Sequence, residues 1–129
     1  MARKYLIKWL VLWLMLMGNS SLAAKSLNDQ YHDYNAQYIP VELLKMQKFH
    51  FQQAQIKLSN NQVAYAWGDL AYILCHIPNH HEALKQIQEL AAQLNRQEEM
   101  LKFYAKALRV FPNDKIVLAL YNKYLPSSP

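Results

Sequence analysis

The densest chemistry in the chain lies between Cys75 and Glu82, where Cys75, His76, His80, His81 and Glu82 gather around Pro78. Imidazole, thiolate and carboxylate together make a donor set for zinc or copper. The spacing argues against such a site. Metal ligands recur at helical or short paired intervals, whereas His80 and His81 diverge as chain neighbours, and Pro78 breaks the register from His76. The expectation is therefore histidines solvated on a turn, with no resident metal or cofactor. A metal site on His76, His80 and His81 is the alternative. Cys75, beside Ile73, Leu74 and Ile77, reads as a small packed hydrophobe. In an oxidising compartment its thiol could instead pair with a second chain, because no other cysteine is available within this one.

Catalytic constellations are harder to assemble. A nucleophile needs a base within hydrogen-bond reach and a third group to orient that base. Ser59 is followed by two asparagines, and the other serines fall near the ends of the chain. Glu98 and Glu99 suit the positive end of a helix without any catalytic role. The only glycines, Gly18 and Gly68, stand 50 positions apart, so neither a phosphate loop nor a dinucleotide fingerprint exists. The sequence reads as a non-enzyme. Gly68, between Trp67 and Asp69, predicts a close approach by another helix backbone with Trp67 or Tyr65 lying over it. Tyr31, Tyr34 and Tyr38 punctuate a polar stretch, where they either dock back on the fold or meet a partner.

The N-terminus has a different character. Arg3, Lys4 and Lys8 precede an unbroken run of nine apolar residues from Trp9 to Met17, and Ser21-Leu22-Ala23-Ala24 then offers small side chains. Charge, apolar stretch and small-residue exit, in that order, are the pattern of a secretory signal peptide over residues 1–24, cleaved after Ala23 or Ala24. Nine residues are too few for a span, which takes about twenty. The expected location is outside the cytoplasm, periplasmic or secreted, with no stable membrane span once the signal is gone. Of the 14 basic residues three leave with that segment, so residues 25–129 carry 11 basic and 9 acidic side chains, a net charge of +2. No basic run remains to follow a phosphate backbone, and nucleic acid is not expected as a partner.

The remainder reads as all-α. Residues 25–39 form an extended polar leader, and Pro40 opens a long helix with Leu43, Leu44, Met46, Phe49, Phe51, Ala54, Ile56 and Leu58 at mostly three- and four-residue steps. Asn60-Asn61 ends it. A second helix over Val63–Ile77 stops at Pro78, and a third, capped by Asn79 or His81, runs from Glu82 to about Asn95. The fourth spans roughly Gln97–Phe111 with Met100, Leu101, Tyr104, Ala107 and Leu108 inward. Asn113-Asp114 caps a fifth over Lys115–Leu125, with Leu118, Tyr121 and Leu125 on its apolar face. Residues 126–129 are a short tail.

These elements repeat. Ile77-Pro78-Asn79 recurs as Phe111-Pro112-Asn113, 34 residues later, and Asn61 with Asn95, Ala71 with Ala105 and Leu74 with Leu108 share that offset. Phe51, Ala54 and Leu58 align with Leu84, Ile87 and Ala91 at 33, and these with Leu118, Tyr121 and Leu125 at 34. A 34-residue unit of two antiparallel helices closed by proline resembles the tetratricopeptide repeat. The resemblance covers about residues 48–125, as two units and a final unpaired helix similar to the one that closes such arrays. Ala66 matches the family's preference for alanine early in the second helix. Met100 departs from it, as do Gln55, Gln88 and Asn122, which stand where the family prefers a small residue.

What the resemblance implies is a short solenoid over residues 40–125 that binds a protein or peptide segment as a scaffold. The first helix of each unit would line a concave groove. Carried over, the groove-facing residues are Phe49, Gln52, Ile56 and Asn60, then Glu82, Lys85, Glu89 and Gln93, then Ile116, Ala119 and Lys123. Such a groove would hydrogen-bond an extended chain and add an apolar contact from Phe49 or Ile56. With so few units, homo-oligomerisation through an exposed end helix is a further expectation.

Overall fold

Pro40, at φ −52° and ψ 139°, sits just outside the first helix and hands its carbonyl to the Leu44 N–H at 2.9 Å. From there a computed structural model describes the chain as helix after helix; it covers residues 31–125. The expected signal segment and cleavage site, the first part of the leader and the tail lie outside the described residues. Five helices follow in order: α1 Val41–Ser59, α2 Val63–His76, α3 His81–Leu94, α4 Gln97–Val110 and α5 Lys115–Tyr124. Among the described residues there is no strand, and each helix packs on the next, with α3 also touching α5. The all-α class is as expected, and none of these helices is long and apolar enough to cross a membrane.

The helix ends fall where backbone chemistry puts them. α2 and α4 stop at the residue two before a proline, because the pre-proline position is pushed out of helical ψ. Ile77 (φ −127°, ψ 79°) and Phe111 (φ −126°, ψ 70°) have nearly the same conformation. Asn61 and Asn95 both take the left-handed conformation, at φ 57° and 55°, which asparagine tolerates better than other residues with a side chain. His80 and Asp114 both cap the following helix through their side chains. Each member of these three pairs lies 34 residues from its partner. The hydrogen bonds obey the same offset: Gln62 N–H to Lys57 carbonyl and Arg96 N–H to Ala91 carbonyl are both 2.8 Å. Local geometry thus repeats with the period of the sequence.

The core is centred on α2, α3 and α4. Leu70, Ile73 and Leu74 meet Leu84, Ile87 and Leu90, and Met100, Tyr104 and Ala107 close the far side with Val117 from α5. Each large apolar side chain so buried contributes about 1.5–3 kcal/mol. Ala66 and Met100 are both fully buried at the 34-residue offset, so the larger side chain is accommodated rather than expelled. Gln88 is also explained: it accepts a hydrogen bond from the Tyr104 hydroxyl across the α3–α4 seam. Gln55 does similar service, bonding Gln86 on α3 at 2.5 Å.

Several expected packing positions differ. On α5 the buried residue is Val117, with Leu120, Tyr121 and Tyr124 half-buried, while Leu118 and Leu125 are exposed. Leu101 is exposed on α4, and Ala105 faces solvent although its counterpart Ala71 is half-buried against the core. In each case two neighbouring stripes of the helix are apolar, and packing against the adjacent helices decides which is buried. Gly68 is not a close-approach point. A Cβ there would meet nothing within 4 Å, Trp67 is instead buried beneath Arg96 and Phe103, and Tyr65 is exposed. On α1 only Ala54 is fully buried, because a single neighbouring layer covers a single face.

Candidate functional site

Pro78 ends α2, and the three residues after it carry the polar centre of the molecule. His80 is the N-cap of α3: its Nδ1 accepts the Ala83 N–H at 3.1 Å, so the neutral ring keeps its proton on Nε2. Asn79 or His81 was the expected cap; the chain places His80 there because Asn79 is turned inward. Burial pushes the His80 pKa down to about 4, since a charged ring would lose water without gaining a partner. His81 points elsewhere, with Nε2 donating to the Asp114 carboxylate at 3.0 Å. Both histidines are buried, which corrects the expectation of solvated side chains.

The leader docks on this turn. Asn79 is fully buried and reaches both ways, its Nδ2 donating to Asp33 at 2.7 Å and to Asp114 at 2.9 Å while its Oδ1 accepts the Tyr34 N–H at 2.9 Å. Asn35 Nδ2 adds a bond to Asp114 at 2.9 Å, and the His32 N–H donates to the His76 carbonyl at 3.0 Å. Asp114 also caps α5 through the Ile116 and Val117 N–H groups. Burial alone would raise its pKa; hydrogen bonds from His81, Val117, Asn79 and Asn35 outweigh that and hold it at about 2. Tyr34 packs its ring 4.4 Å from His80 and edge-on to His81 at 4.7 Å, while Lys106 sits 4.5 Å over Tyr31. Of the three leader tyrosines, then, Tyr31 and Tyr34 dock and Tyr38 stays exposed.

Between the docked leader, α1 and the start of α3 opens a cavity of about 450 Å³. Tyr34, Leu44 and Phe51 give it mostly apolar walls, and Gln47, Lys48, Gln52, His80 and Glu82 place polar groups along it. Phe51 lies nearly parallel to the His80 ring at 6.3 Å. No protein-family model, curated protein or solved structure matches this chain. The site has to be read from its own chemistry.

All eleven residues expected to line a groove, Phe49, Gln52, Ile56, Asn60, Glu82, Lys85, Glu89, Gln93, Ile116, Ala119 and Lys123, are exposed. The structure brings Gln52 and Glu82 into the cavity, and Lys85 pairs with Glu82 at 3.3 Å. The other nine, Lys85 included, do not line that cavity. The residues that build it and were not among the expected groove positions are Tyr34, Leu44, Gln47, Lys48, Phe51 and His80, together with the leader's polar anchors Asp33 and Asn35. Their hydrogen bonds span 45 to 79 positions of sequence, a distance that helical periodicity does not report.

The metal alternative gains nothing. Among the described residues no three of His, Cys, Asp or Glu gather to hold an ion. His80 and His81 spend ring nitrogens on the helix cap and on Asp114, and His76 is exposed beside Tyr72. Cys75 is exposed rather than packed. A second polar cluster ties α1 to α2: Asp69 accepts from His50 at 2.8 Å and from Lys57. Burial would raise the Asp69 pKa, but these two partners bring it below its ordinary value. The signal was a lone carboxylate inside the apolar run Val63–Ile77, where an unpaired charge is not tolerated.

Proposed function

We propose that this chain is an exported, tetratricopeptide-like scaffold that binds a peptide or protein segment on the face formed by α1, α3 and α5, rather than an enzyme. The observation that carries the reading is the accessible apolar cavity beside α1 and α3, and exposed residues recur at one-face spacing on α1, α3 and α5. Phe49, Gln52 and Ile56 on α1, Glu82, Lys85 and Glu89 on α3, and Ile116, Ala119 and Lys123 on α5 follow the same i, i+3, i+7 rhythm. The 34-residue recurrence of caps and left-handed asparagines supports the repeat. The charge pattern and apolar run of residues 1–24 support export.

The test is selection of binding peptides from a random display library on a chain starting at Lys25, followed by calorimetry. A charge-reversed variant, Lys85→Glu with Glu89→Lys, should weaken the selected peptides at least tenfold. A library that yields no binder, or binders indifferent to that variant and to loss of Phe49, contradicts the reading. Self-association through α1 belongs to the same proposal, and sedentation of the free chain in the ultracentrifuge measures it.

A further inference from the structure

We infer that the cavity between the leader, α1 and α3 is an anchor site for one large apolar side chain of a bound peptide, with the peptide's own amide paired between Gln47 and His80. The inference rests on the peptide-binding reading above and names where and how the segment is held. Leu44, Phe51 and Tyr34 form the apolar walls, and about 450 Å³ accommodates a large side chain with the backbone that carries it. Two polar groups there lack partners among the described residues. Gln47 Oε1 is removed from water and accepts no hydrogen bond. His80 commits Nδ1 to the helix cap, and no hydrogen bond among the described residues uses its Nε2–H.

An unpaired buried acceptor is costly, and the turn of a terminal amide is a soft torsion, so Gln47 can swing Oε1 toward an incoming N–H. One acceptor and one donor beside an apolar cavity are the complement of a peptide unit, which carries one N–H and one C=O next to its side chain. A hydrocarbon would leave both groups unpaired, and a free anion, though it would meet Lys48 and the His80 N–H, would face the Glu82 carboxylate and the apolar walls. The chemistry thus selects an uncharged backbone carrying an apolar side chain.

The experiment is a titration of the ¹⁵N-labelled chain with capped tripeptides, acetyl-Ala-X-Ala-amide with X as Phe, Leu or Ala, followed by two-dimensional NMR. Phe and Leu peptides should move Leu44, Gln47, Phe51 and His80 resonances at millimolar concentration, and the Ala peptide should bind at least tenfold more weakly. Leu44→Glu, at a half-exposed position that spares the core, should abolish the response with an otherwise unchanged spectrum. Gln47→Leu should weaken binding about fivefold. Shifts confined to Lys85, Glu89 and Ile116 would overturn the anchor while leaving the groove standing. The same shifts appearing with protein concentration alone would mean a second copy fills the cavity, which also overturns it. No response to any of these peptides overturns the anchor, and whether display-selected peptides still bind decides the broader reading separately.

Discussion

Asp114 accepts hydrogen bonds from five groups on three parts of the chain: the leader, the Pro78 turn and its own helix. Removing it should therefore cost more than a helix cap alone. Asp114→Ala is expected to lower stability by about 2–4 kcal/mol in urea unfolding, the sum of a lost cap and stranded buried donors. Asn113→Ala, exposed next door, should change it by less than about 0.5 kcal/mol. The two titrating residues act over different windows. His80 takes a proton near 6.5 when unfolded and only near 4 when folded, so stability falls as pH drops from 6.5 to 4 and then levels off. The loss is on the order of 3 kcal/mol. Asp114 works the lower range: its contribution is intact above 3.8 and disappears as pH falls through about 2. His80→Asn keeps a capping acceptor without the titration, and should flatten the melting temperature against pH between 4 and 6.5. An unchanged slope would remove His80 from the account.

At the scale of elements, helix limits were legible because prolines and asparagines are local signals. All five helices begin and end within about a residue of the expected positions, and the fold class followed from the same punctuation. Which face packs was less legible. Lys115–Tyr124 is apolar at Ile116, Val117, Leu118, Ala119 and Leu120, so periodicity alone offers more than one stripe, and packing against α3 and α4 leaves Val117 as the buried one. The alanines show the same effect: Ala105 is exposed and Ala107 buried. Ala105→Trp should thus be tolerated, whereas Ala107→Leu should overpack the α4 seam by about 1–3 kcal/mol, read by chemical unfolding. If Asn61 and Asn95 are equivalent, Asn→Val at either should cost at least about 1–2 kcal/mol, because a β-branched residue resists the left-handed conformation. Asn→Gly at either should be neutral or stabilising. Opposite responses at the two sites would contradict the equivalence.

Across the whole molecule, the cavity was the part the sequence hid. One wall, Tyr34, comes from a polar leader that no period marks, held by Asp33 and Asn35 through contacts far along the chain. The outer face of α1 bears Val41, Leu44, Phe49 and Ile56 in the open, and the proposal gives that face, with α3 and α5, to a peptide. Exposed apolar residues on α2 and α4, Tyr65, Tyr72 and Leu101, are the competitors. A display-selected peptide carrying a photoreactive benzoylphenylalanine distinguishes the two sets, with the cross-linked residues located by mass spectrometry. Cross-links at Leu44, Phe49, Gln52, Glu82 or Lys85 are the predicted result; cross-links concentrated at Tyr65, Tyr72 and Leu101 would contradict it.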